Sequence, residues 1–150
     1  MTTDNRVLVI PAGGPPFTFK HKGRVGLDVL QQLVGGSIEA TYLRDFGEAT
    51  MWCWGEARIF AEPLNNIATE LLRSNYGYGM VGTFVLTDTD DDGYSVAMTL
   101  DTESRLLDVH GLTYHTWDDW DYFDALGFMQ FLGTLEDANE WRTYARLPIP

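Results

Sequence analysis

Four aspartates fall within five positions, Asp88, Asp90, Asp91 and Asp92, and Gly93 follows them. Oxygen ligands at positions 1, 3 and 5 with glycine at 6 open the helix–loop–helix calcium pattern, whose twelfth residue supplies a bidentate glutamate. Here the twelfth residue is Thr99 and the ninth is Val96. The flanking runs V-G-T-F-V-L and Y-S-V-A-M-T-L alternate like strands, so the stretch is expected to turn a hairpin, for which aspartate and glycine are suited. His110 and His115 stand five apart, with Asp108 and Asp118 nearby, a spacing that fits no standard zinc pattern and has no CxxC to complete it. No metal is expected. Cys53 lies between Trp52 and Trp54 in an alternating run, which turns its side chain away from both rings and makes it a small apolar group rather than a thiolate. No G-x-S-x-G elbow is present. P-A-G-G-P-P and Y-G-Y-G-M-V-G lack both the Lys-Ser/Thr of a phosphate loop and a G-x-G-x-x-G that opens a helix. No cofactor is expected.

Two sets of residues remain as binding candidates. The first is acidic: Asp118, Asp119, Asp121 and Asp124 interleave with Trp117, Trp120, Tyr122 and Phe123, and add to the aspartates of 88–92. Carboxylates at a helix start are stabilised by the helix dipole, which accounts for part of this cluster. The second lies in the first half. The Tyr76–Tyr78 loop could stack a base, Arg58 or Arg73 could hold a phosphate, and Glu39, Glu56 and Asn65 could converge on one pocket. Against that stands a fold-maintaining role: Gly35 and Gly36 let a helix end through positive φ, and Asn65 or Asn66 satisfies free amides at a helix start.

The whole chain restricts the classes of function. Its 150 residues suffice for one real core. One cysteine excludes an intramolecular disulfide and suits a reducing compartment. M-T-T-D-N-R does not read as a secretory leader, and no apolar run reaches the ~18 residues of a membrane span. A cytoplasmic protein of a host cell, bound to neither membrane nor nucleic acid, is expected. Net charge is -12, and residues 81–150 carry fourteen acidic residues against three basic ones. Such a surface repels nucleic acid and favours basic partners.

The elements that must position these groups follow from periodicity. Strands are expected over 6–11, 17–22, 37–43, 50–59, 80–86 and 94–100. Helices are expected over 27–34, closed by Gly35-Gly36, and from Pro63, where Leu64, Ile67, Ala68, Leu71 and Leu72 form one stripe. Residues 101–116 read as an irregular connection. Thr116 with Asp119 resembles a capping box that opens a helix over 117–138. That helix is apolar over most of its circumference, so it is expected to bury a second face against another copy of the chain. The fold class is α+β: a single mixed or antiparallel sheet with helices packed on one face, plus a C-terminal aromatic helix. Residues 1–100 are expected to form the core domain, and 101–150 an acidic, aromatic extension packed on it.

Over roughly residues 6–90 the chain resembles a family of uncharacterised domains, domain of unknown function 3846. The resemblance rests on V-L-V-I-P-A-G-G-P, L-Q-Q-L-V-G-G-S-I-E-A, a hairpin with G-E, P-L-N-N-I-A-T-E-L-L and G-M-V-G-T-F-V-L. It implies the gene context of phages, large viruses and plasmids, and no activity. The leading expectation is a non-catalytic accessory protein that modulates a basic host protein through its acidic surface. The alternative is a protein that binds or sequesters a nucleotide signal, and the third is an enzyme of unknown class.

Overall fold

The computed structural model describes residues 5–42, 49–72, 79–117 and 119–134. Along the chain run β1 (Arg6–Ile10), β2 (Phe17–Lys20), α1 (Leu27–Val34), β3 (Ile38–Tyr42), β4 (Thr50–Trp54), α2 (Asn66–Leu71), β5 (Phe84–Thr89), β6 (Ser95–Val96), α3 (Leu100–His110), β7 (His115–Thr116) and α4 (Tyr122–Leu132). The strands form one sheet in the order β3-β4-β5-β1-β2-β7, with β6 paired to β5. Every neighbour is antiparallel except β2 and β7, which run parallel. The fold is α+β, with a single mixed sheet and a C-terminal aromatic helix.

The helices, expected on one face, divide between two. The reason is in β1, whose five residues are all buried. A strand apolar on both faces needs cover on both. Leu8 and Ile10 join Met51, Phe84 and Leu86 under Ala68 and Leu71 of α2 and Leu106 of α3. Val7 and Val9 join Phe17, Phe19 and Val85 under Leu30, Leu33 and Val34 of α1 and Ala125 of α4. Residues 101–134 contribute to both layers and, through β7, to the sheet itself.

Several expected elements differ: the strand expected over 80–86 runs Phe84–Thr89, the one expected over 94–100 is only Ser95–Val96, and the helix expected from Pro63 is capped at Asn65. Residues 101–116 hold a helix and a strand rather than an irregular connection. α3 starts at the Thr99 cap, whose side chain accepts from the Thr102 N–H, and ends at Gly111 with φ 63°. It buries only Thr102 and Leu106, so its apolar period is weak, and Tyr114 Oη donating to Glu103 at 2.6 Å helps hold it. The last helix opens at Asp121, not Thr116, through a capping box in which Asp121 and Asp124 exchange side-chain and backbone bonds. Trp117, expected inside that helix, lies before it and is buried against Phe17, Trp120 and Phe128, with ring centroids 3.8–5.8 Å away. β4 ends at Trp54 instead of Ile59. Beyond it the Ala57 N–H turns back to the Trp54 carbonyl and the Glu62 N–H to the Ala57 carbonyl, so residues 55–61 form turns.

Candidate functional site

Strand register sets a row of side chains across one face of the sheet. Glu39 lies opposite Cys53, Cys53 opposite Phe84, and Phe84 opposite Ile10. At the Ile10 end this face is covered by α2. Toward β3 the row opens into a cleft of about 210 Å³, lined by Glu39, Cys53, Arg58, Met80, Val81 and Phe84 among others. Gly55 gives the Glu39 carboxylate room, because a Cβ there would stand 3.2 Å from Glu39 Oε2. Arg58 reaches across from the 55–61 turns and donates to the Gly79 carbonyl. One anionic group and one cationic group therefore face a largely apolar floor. Burial, reinforced by the Glu39 charge, pushes the Cys53 thiol up to about 11, and its S–H leans on the Glu39 carbonyl at 3.6 Å. A thiol held that high stays protonated at neutral pH, which removes it as a nucleophile.

The motifs around this cleft hold its walls. Asn65 is buried, and its side-chain amide donates to the carbonyls of Ile10 at 2.8 Å and Gly82 at 2.9 Å, while its oxygen caps α2 by accepting from Ala68 N–H. Its backbone N–H donates to the Met80 carbonyl, and Thr69 Oγ1 accepts from the Met80 N–H at 2.8 Å. The 80–82 wall is thus fastened to β1 through the Asn65 side chain and to α2 through Asn65 and Thr69. On the opposite face Trp54 lies over Gly36, where a Cβ would come within 2.2 Å of the indole nitrogen, and Phe60 stacks on Trp54 at 4.9 Å. Gly35, the helix cap before it, takes φ 97°. Both glycines are needed, one for conformation and one for space.

The acidic candidates have different surroundings. Asp88 is 4% exposed, and its carboxylate accepts from Thr99 N–H at 2.7 Å and Thr102 Oγ1 at 3.0 Å, tying β5 to the start of α3. Asp90 accepts from the N–H groups of Asp92 and Tyr94, and those bonds close the turn. The Tyr94 N–H, then that of Asp92 and the Arg24 charge, hold its carboxyl below the usual aspartate range. Arg24 pairs with Asp90 at 3.5 Å and Asp92 at 3.4 Å and lies over the Tyr94 ring. Asp91 and Asp119 are exposed. Asp121 and Asp124, also exposed, form the cap of α4, and Trp120 joins the aromatic cluster on Phe17. The turn and the helix start leave the same end of the sheet, but a basic segment runs between them: Lys20 N–H donates to the Trp120 carbonyl, Lys22 follows, and Arg24 reaches the turn.

Of the residues expected in a ligand pocket, Glu39 and Arg58 line the cleft, Asn65 stands behind it with its amide already bonded, and Glu56, exposed, is not in its lining. Arg73, Tyr76 and Tyr78 lie outside the described residues, as do Asp118 of the acidic set and residues 135–138 of the expected helix. Met80, Val81 and Phe84 were not among the expected pocket residues. The strand alternation that places Cys53 opposite the tryptophans also places Glu39 and Phe84 beside it, once the pairing of β3, β4 and β5 is known. Within α4 only Ala125 is fully buried, and Phe123 is 76% exposed. Among the described residues no group of three His, Cys, Asp or Glu side chains could hold a metal ion, and no helix is long and apolar enough to cross a membrane.

No curated protein and no solved structure matches the chain. A family does, over a stretch that runs from β1 to the end of α3, about twenty residues further than the motifs of the first ninety imply. It includes every described residue of the cleft and the aspartates of 88–92. The chain belongs to the family described as Domain of unknown function (DUF3846), whose sequence profile matches residues 5–110.

Proposed function

We propose that this chain is a non-catalytic binding protein that holds a small ligand in the cleft over Glu39, Cys53 and Phe84. The observation that carries this reading is that Glu39 and Arg58, from separate segments, line one cleft with an apolar floor and with space left by Gly55. Pockets of this kind bind by apolar contact and take their orientation from a few polar groups. A carboxylate accepts hydrogen bonds from a base edge, and a guanidinium suits a phosphate. A nucleotide satisfies both. Thermal-shift measurements across a nucleotide set test it, since a ligand at 100 times its dissociation constant adds about 2.7 kcal/mol of stability. The expected result is a shift with at least one nucleotide that disappears in both Arg58→Ala and Glu39→Gln. No shift with any nucleotide retires the reading.

A second reading is an accessory protein of a virus or mobile element that binds a basic host protein through its acidic surface. Its support is the net charge of -12 and the exposure of Asp91, Asp119, Asp121 and Asp124. The basic segment from Lys20 to Arg24 divides that surface, and the fold itself uses Asp88, Asp90, Asp121 and Asp124. The reading requires capture from host lysate that weakens steeply with salt.

A further inference from the structure

The polar side chains of the cleft are few and unequal in kind. Among its described lining residues are the Glu39 carboxylate, the Thr41 hydroxyl, the Cys53 thiol and the Arg58 guanidinium, with no side-chain amide. Trp54 also borders it, but its indole nitrogen lies over Gly36 on the opposite face. Thr41 is buried, the Cys53 S–H leans on the Glu39 carbonyl, and Arg58 donates to the Gly79 carbonyl. The Glu39 carboxylate is exposed, and no hydrogen bond or ion pair of the described residues engages it. Strand register sets it at one end of the row Glu39–Cys53–Phe84, two strand spacings or ~9.5 Å long. The volume of about 210 Å³ is below the ~300 Å³ at which pockets for drug-sized ligands begin. Such a cleft has room for a base and leaves sugar and phosphate at its mouth, so selection falls on the base.

We infer that the cleft selects guanine, whose N1–H and exocyclic N2–H donate side by side to the two Glu39 carboxylate oxygens while the ring lies on the Cys53–Phe84 floor. The inference rests on the nucleotide reading and adds to it the identity of the base. An ionised carboxylate only accepts, through both oxygens. It therefore pairs best with a planar group that carries two parallel donors, and charged bidentate pairs of this kind are the strong ones. Among the common bases guanine alone has such an edge. Adenine sets its amine beside a ring nitrogen that accepts, the pattern an asparagine or glutamine amide reads. Cytosine does the same, and uracil holds its one N–H between two carbonyl oxygens. Each of these aims a lone pair at the carboxylate. The apolar floor accepts any base, and Glu39 makes the choice.

Calorimetric titration of the full chain with GMP, IMP and AMP tests the inference. IMP keeps the N1–H but lacks the exocyclic amine, and AMP sets one donor beside a lone pair. GMP should bind most tightly, IMP about tenfold more weakly or worse, and AMP more weakly still, given the worth of one hydrogen bond to a charged group. Glu39→Gln should melt with the wild-type chain when no ligand is present, because the side chain is exposed. It should weaken GMP about tenfold or more and narrow the gap between GMP and AMP, since an amide no longer offers two acceptors. AMP or IMP binding as tightly as GMP overturns the choice of guanine and leaves the nucleotide reading standing. So does binding of none of the three while another nucleotide raises the melting temperature. A GMP affinity unchanged by Glu39→Gln overturns the role of the carboxylate. No binding here and no thermal shift with any nucleotide retires both readings together.

Discussion

The aspartate turn after β5 and the cleft beside β3 invert what their residues suggest. The turn concentrates charge, yet Asp88 is buried as a brace for α3, and Asp90 and Asp92 are held by backbone amides and Arg24. The cleft is flanked by glycines, an asparagine and a lone cysteine, residue types that maintain folds, yet the exposed carboxylate of Glu39 lines it, across from an arginine that donates to the Gly79 carbonyl. Charge density in a sequence therefore does not locate a site. What matters is whether each group's hydrogen bonds are already used by its own fold.

The largest effect belongs to the asparagine behind the cleft. Asn65→Ala removes a helix cap, worth ~1 kcal/mol, takes its donor from the Gly82 carbonyl at ~1–3 kcal/mol, and takes a second donor from the Ile10 carbonyl, already in the β1–β5 ladder, at ~0.5–1.5 kcal/mol. A loss of about 4 kcal/mol in denaturant unfolding is expected. A loss under about 1 kcal/mol would mean that the cleft wall is not fastened by this side chain.

Next comes the turn, where neighbouring aspartates should differ sharply. Asp88→Ala leaves the Thr99 N–H and the Thr102 hydroxyl without their acceptor, and bonds to a charged group are worth ~1.5–3 kcal/mol each. About 3 kcal/mol should be lost. Asp91→Ala, at an exposed position, should change stability by less than about 0.5 kcal/mol. Equal effects at the two positions would break the contrast between brace and solvated charge.

Much of this architecture was legible in the sequence. β1, β2 and α1 follow from R-V-L-V-I, F-T-F-K and a helical stripe ended by Gly35, because local pattern and burial agree there. α3 was not legible. Its only fully buried positions are Thr102 and Leu106, while Leu100, Leu107 and Val109 face solvent, so no apolar stripe marks it. The surer signals were its ends, Thr99 as cap and Gly111 after His110. The start of α4 was misplaced because Thr116 with Asp119 and Asp121 with Asp124 share the same spacing. Only the tertiary burial of Trp117 decides between them. The cleft was half legible. Glu39 and Arg58 were nameable as candidates, but their meeting with Phe84 depends on a strand order that brings β5 beside β4, which no local pattern states.

A smaller effect should mark the exposed carboxylate of the cleft. Glu39 is exposed, and no strand bond in the ladder depends on its carboxylate. Glu39→Gln should therefore leave stability within about 0.5 kcal/mol while removing ligand shifts. A substantial loss of stability would move Glu39 into the same class as Asp88, and the cleft would lose its distinction from the turn.

The finest comparison is within the turn itself, between the backbone amides and the arginine that hold Asp90. The Asp90 carboxyl is held below the usual range first by the Tyr94 N–H, then by the Asp92 N–H and Arg24. A carboxyl depressed in the folded chain contributes stability above its unfolded pKa and loses it as pH falls through the folded value. The effect belongs to acid conditions and leaves neutral-pH stability flat. Followed by carboxyl NMR, Asp90 should titrate below the usual aspartate range. Arg24→Ala should raise the Asp90 value only part of the way, because the backbone amides remain in place. If Arg24→Ala brought Asp90 back to the usual aspartate range, the turn would be held by its ion pair and would loosen with salt. If Asp90 stayed low, the turn closes on its own backbone, and its charge is a consequence of hairpin geometry before it is a feature of any partner surface.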